Sequence, residues 1–176
     1  MSCKLRAKKP IECKTTAEKF EGFSFCQFLN QSSILQDDKR IKIEQGTFQG
    51  GVVKASFVTG IQIAFSHFDR IPSSIFINFG DIKRLKIFKS KIDKIDRDDF
   101  ALATNLEFLE IVDSDIESIS SGAFTLLENL QEVKLNGNKI ANYETPYDNR
   151  LQKLKTVQVN GQNFGFYNEE VGKRRV

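Results

Sequence analysis

Tryptophan is absent from the 176 residues, histidine and methionine occur once each, and no cysteine follows Cys26. Each gap excludes something. His67 is the one imidazole, and no Cys or Asp motif orients it, so it reads as an ordinary turn residue rather than a general base. No apolar run approaches the ~18 residues of a helical membrane span, so no membrane insertion is expected. The basic opening MSCKLRAKKP has no hydrophobic stretch after it and is not a signal peptide. The expectation is an intracellular chain, or one whose leader has been removed or lies outside this sequence. GTFQGG, at 46–51, lacks the Lys-Ser/Thr that follows the glycines of a phosphate loop. Asp98 and Asp99 read as solvated surface charge. Nothing here assembles a catalytic constellation, and neither an enzyme nor a cofactor is expected.

The three cysteines, Cys3, Cys13 and Cys26, are separated by nine and twelve residues, which matches no usual zinc-ligand spacing. A pair would staple an N-terminal cap and leave one thiol over, and Cys13 with Cys26 is the expected disulfide.

What is present is a period. The stretch IKRLKIFKSKIDKIDRDDF, starting at Ile82, places Leu85, Ile87, Ile92, Ile95 and Phe100. Shifted by 24 residues, these become Leu109, Ile111, Ile116, Ile119 and Phe124. A further step gives Val133, Leu135, Ile140 and Tyr143, and a backward step gives Ile61, Ile63, Phe68, Ile71 and Phe76. A partial copy follows at Leu154, Val157, Val159 and Phe164. One copy cannot bury its own apolar side chains, but stacked copies bury them in a continuous core.

The shared pattern L-x-x-L-x-L-x-x-(S/N/Q)-x-(I/F) resembles the leucine-rich repeat, in the 24-residue class with a phenylalanine in its second half. The resemblance covers Val58 to Phe166, about three-fifths of the chain. It implies an α/β fold: a right-handed leucine-rich-repeat solenoid, or horseshoe, with a parallel sheet on the concave face. Phe76, Phe100 and Phe124 would form a spine on the convex side. The family usually has Asn where this chain has Ser66, Ser90, Ser114, Asn138 and Gln162. Serine has one donor and a shorter reach, which predicts a weaker ladder between coils.

The expected organisation is an N-terminal cap over 1–57, repeats over 58–167 (58–81, 82–105, 106–129, 130–153 and 154–167) and a tail over 168–176. In the cap, Phe23, Phe25, Gln27 and Leu29 alternate, as do Ile41 and Ile43, which predicts a β-hairpin followed by a Gly-rich connection. Such a cap covers the first strand's open edge. With I-P-S-S-I-F in the first repeat, this arrangement resembles secreted leucine-rich-repeat proteins of insects. Asn30-Gln31-Ser32 would then be a glycosylation sequon. Phe164, Phe166 and Tyr167 are expected to fold over the last repeat; an exposed last strand could instead pair with a second copy as a homodimer.

The resemblance places partner binding on the concave face. There Phe65, Phe88, Phe108 and Val112 would supply an apolar centre, with Arg84, Lys86, Glu110, Glu132 and Lys134 as an orienting rim. The alternative is that the aromatic side chains only pack across strands. The repeat 82–105 has seven basic and four acidic residues, while 106–129 has six acidic and no basic ones. Stacking would set Lys83, Lys86, Lys89 and Lys91 against Glu107, Glu110, Asp113 and Asp115, then Glu110 against Lys134 and Asp115 against Lys139. A nucleic-acid groove is excluded by that acidic stripe. The expected function is protein recognition outside the cell, with a cytoplasmic scaffold or a fragment of a larger protein as alternatives.

Overall fold

Each 24-residue step returns the chain to the edge of one growing sheet. The computed structural model describes residues 14–15, 25–29, 47–48, 51–52, 58–141 and 150–165, with side chains over 58–73, 75–77, 79–141 and 150–161. The strands begin with β1 (Lys14–Thr15), β2 (Phe25–Leu29), β3 (Thr47–Phe48), β4 (Gly51–Val52), β5 (Gly60–Ala64) and β6 (His67–Phe68). A short helix, α1 (Ser74–Asn78), precedes β7 (Arg84–Phe88), β8 (Lys91–Ile92) and β9 (Lys94–Ile95). The rest are β10 (Phe108–Val112), β11 (Ser118–Ile119), β12 (Glu132–Leu135), β13 (Thr156–Val159) and β14 (Gln162–Gly165).

The long sheet runs β1-β2-β5-β7-β10-β12-β13-β14, and β2 through β13 are parallel. Gly60, Arg84, Phe108, Glu132 and Thr156 align across it, each 24 residues after the last. The result is a β-solenoid of about four turns. Short parallel pairs, β6 with β8 and β9 with β11, extend the same register down the side of the coil.

Little helix forms on the return side. Among the described residues it holds α1 and a 3-10 turn at Arg97–Phe100. Strand, side strands and turns use most of a 24-residue coil, so the return closes by tight i→i−3 bonds. Ile82, Leu106, Leu130 and Leu154 each donate a backbone N–H to the carbonyl three residues back, at 2.9–3.2 Å. Those carbonyls belong to Phe79, Ala103, Leu127 and Leu151, a buried column whose mixed residue types hid it from the repeat pattern. Helix content among the described residues is therefore far below what an α/β class implies.

The core is one continuous cluster built from the repeat columns. Leu85, Ile87, Ile92, Ile95 and Phe100 are fully buried, and so are Ile61, Ile63, Val133 and Leu135 above and below them. Burying each such side chain contributes about 1.5–3 kcal/mol. Phe100 lies between Phe76 and Phe124, with ring centroids 6.3 and 5.8 Å away.

Both sheet edges end in antiparallel pairs. β1 pairs with β2, Lys14 opposite Gln27 and Thr15 opposite Cys26, and β2 joins β5 by a longer 35-residue step. Ile41 and Ile43, expected to complete the hairpin, lie outside the described residues, as do Cys3, Cys13, Asn30, Phe166 and Tyr167 and the Cys26 side chain. The Gly-rich connection is itself a tight antiparallel pair, Thr47 opposite Val52 and Phe48 opposite Gly51.

At the other edge, Asn160 and Gly161 both take positive φ, 47° and 83°. That is a type I′ turn, whose twist suits a two-residue hairpin. It folds β14 back onto β13, so Phe164 pairs opposite Val157 instead of continuing the column of Ile140. β13, the last parallel strand, is thus paired on both sides, and β14 is the outermost described strand at that edge.

Candidate functional site

In β7 and β10, Leu85, Ile87, Leu109 and Ile111 point into the core. Period-two alternation then puts Arg84, Lys86, Phe88, Phe108, Glu110 and Val112 on the opposite, half-buried face. Glu132 and Lys134 continue it on β12. All eight residues expected to bind a partner therefore share one face of the sheet.

They do not form one apolar centre with a charged rim. Register places Phe88 opposite Val112 and Phe108 opposite Arg84. Phe88 and Phe108 thus occupy opposite ends of five-residue strands, about 13 Å apart along the strand at ~3.3 Å per residue. At one end the Arg84 guanidinium sits 4.7 Å above the Phe108 ring. At the other, Phe88 meets Phe65 edge-on at 6.1 Å. Lys86 Nζ lies 5.8 Å from the Phe88 ring and Lys89 Nζ 5.9 Å from the Phe65 ring. Between the two ends, Lys86 bonds Glu110 at 3.1 Å.

Phe65 is held outward by the backbone. It has φ 53°, and the next coils repeat this at Lys89 (48°), Asp113 (50°) and Gly137 (70°). A left-handed conformation costs a side-chain-bearing residue about 1–2 kcal/mol. The column keeps it because inter-coil bonding continues through it: the N–H groups of Phe65, Lys89 and Asp113 donate to Phe88, Val112 and Asn136 carbonyls at 3.1–3.4 Å. Phe65 is consequently 53% exposed despite its aromatic partner.

The next column is a ladder. Ser66, Ser90 and Ser114 donate their backbone N–H groups to Ser90 Oγ, Ser114 Oγ and Asn138 Oδ1 at 3.1, 3.4 and 3.0 Å. Each serine hydroxyl donates to the carbonyl two residues back, at 2.8–3.0 Å. Short reach is therefore no obstacle, since one donor and one acceptor fill every rung. Gln162 is not the last rung; Asn160 Oδ1 accepts the Asn138 N–H at 3.2 Å because the chain has turned back.

Charge pairing follows the stacking in part. Lys83 meets Glu107 at 2.9 Å and Lys139 meets Asp115 at 2.9 Å. Lys91 instead bonds Asp93 in its own coil, and Lys134 bonds Glu132 in its own strand. Lys89 faces Phe65 rather than Asp113. Exposed pairs of this kind contribute ~0–1 kcal/mol each. Asp99 is not solvated surface: it is 5% exposed, bonded to Arg70 Nε at 2.8 Å and to the Asp96 N–H at 2.7 Å. Asp99 raises the Arg70 pKa through that bond. Asp96 is held below the usual carboxylate range, first by the Ser120 hydroxyl, then by Lys94.

Among the described residues no helix is long and apolar enough to cross a membrane. No protein-family model matches the chain, and comparison with curated proteins finds no significant match.

Proposed function

We propose that the chain is a non-enzymatic recognition module of leucine-rich-repeat type that engages a protein partner through the open face of its long sheet. The contact centres on Phe65, Phe88 and Val112, with Lys86, Lys89 and Glu110 around them. Phe65 carries this reading: a large ring left half in water, positioned by Phe88 and by a left-handed backbone, is poised to bury area against a partner. The 24-residue coil, the Ser66–Ser90–Ser114–Asn138 ladder and the Phe76–Phe100–Phe124 stack support the leucine-rich-repeat assignment, with the open face as the inner curve of a horseshoe. Phe108, covered by Arg84, is peripheral.

Immobilised protein exposed to extract from its source tissue tests the face. Phe65→Glu with Phe88→Glu should abolish capture with an unchanged circular dichroism spectrum, while Ile77→Glu with Leu102→Glu should retain it. The reverse pattern would move the site off the sheet.

The extracellular setting rests on Cys13 with Cys26 and on the Asn30 sequon. Thiol labelling without reductant should protect two cysteines. Three reactive thiols would place the protein in a reducing compartment.

A further inference from the structure

We propose that His67, Asp69 and Asp93 form a binding site for a divalent transition-metal ion of the zinc type, bridging two adjacent coils. His67 and Asp69 flank Phe68, which is fully buried, so alternation turns both flanking side chains outward on the same side. The β6–β8 pairing sets His67 opposite Lys91, which carries Asp93 alongside Asp69 one coil on. Asp93 N–H donates to the Phe68 carbonyl at 3.4 Å, tying the two turns together. One donor atom from each of the three side chains lies within 4.8 Å of the others.

Zinc bonds nitrogen and oxygen at about 2.0–2.2 Å, so the donors must draw closer together. All three side chains are exposed, so an ion reaches them from solvent. An imidazole with two carboxylates suits zinc, cobalt or nickel, whereas magnesium and calcium favour all-oxygen sets. Lys91 Nζ lies 3.5 Å from Asp93 Oδ1, a contact that a divalent ion bound to that carboxylate would replace. The ion would cross-link the coils of His67 and Asp93, coupling binding to stability of the solenoid.

Zinc ions titrated into the full chain should bind and raise its melting temperature, with magnesium ions inert as the comparison. His67→Ala should remove the part of the signal that does not come from the N-terminal cysteines. Asp93→Asn should weaken it about tenfold or more, since even partners outside the ligand shell matter by about 10–100-fold. Equal zinc-dependent stabilisation in the parent chain and the His67→Ala variant, or no zinc binding at all, would overturn the proposal.

Discussion

Ser90 Oγ accepts the backbone N–H of Ser66, one coil away at 3.1 Å, while its hydroxyl donates to the Phe88 carbonyl at 3.0 Å. The same residue pairing, moved 24 residues along, joins Ser114 to Ser90. A single hydroxyl thus closes its own turn and holds its neighbour's.

Ser90→Ala removes both the acceptor for the buried Ser66 N–H and the hydroxyl's bond to the Phe88 carbonyl. The expected cost is about 1–3 kcal/mol in urea unfolding. Asn138→Ala should cost more. It strands the N–H of Ser114 and of Ile116, and the side-chain amide's bonds to the Ile111 and Leu135 carbonyls are lost with it. Equal losses at the two positions would show that the ladder is not the unit of cohesion.

The inward columns were legible because burial imposes apolar residues every 24 positions, as at Leu85, Leu109 and Val133. Their ladder partners were legible as positions but not in strength, since Ser90 succeeds through hydroxyl geometry that residue type alone does not reveal. The last hairpin had a readable signal, Asn160-Gly161 between two strands, which the repeat register masked. Lys91 and Lys134 chose nearer carboxylates than the stacking implied, because long side chains on an exposed face settle by local geometry. The pairing of Asp99 with Arg70 depended on contact across 29 residues, which no short motif carries. The 24-residue spacing of Asp69 and Asp93 was visible as well, but became meaningful once β6 and β8 paired.

Phe100 is fully buried between two other rings. Phe100→Ala should destabilise by about 3–5 kcal/mol. Phe100→Leu should recover much of that in thermal unfolding, because the column needs volume more than aromaticity.

The left-handed column separates glycine from its substitutes. A Cβ at residue 137 would meet Asp113 Oδ1 and sit at φ 70°, so Gly137→Ala should lower stability by about 1–2 kcal/mol. Lys89→Gly removes that strain, offset by about 0.5–1 kcal/mol of glycine's extra chain entropy. Its melting temperature should equal or exceed the parent's. A large loss at Lys89→Gly would mean that the contact with Phe65 outweighs the strain.

The Asp96 node sets an acid response. Its pKa is depressed in the folded chain, by the Ser120 hydroxyl and then Lys94. The stabilisation is complete above the unfolded carboxylate pKa, about 3.9, and is lost as pH falls through the lower folded value. Asp96→Asn should therefore flatten the stability curve below about pH 4 and lower the plateau above it. An unchanged acid limb would remove Asp96 from the account.

The recognition surface is tested most directly by photo-crosslinking. A benzoyl-phenylalanine introduced at Phe88, in the presence of source-tissue extract, should trap a discrete protein partner. The same group at Leu102, 51% exposed on the return side, should not. A partner trapped at position 102 and not at 88 would contradict the assignment of binding to the sheet.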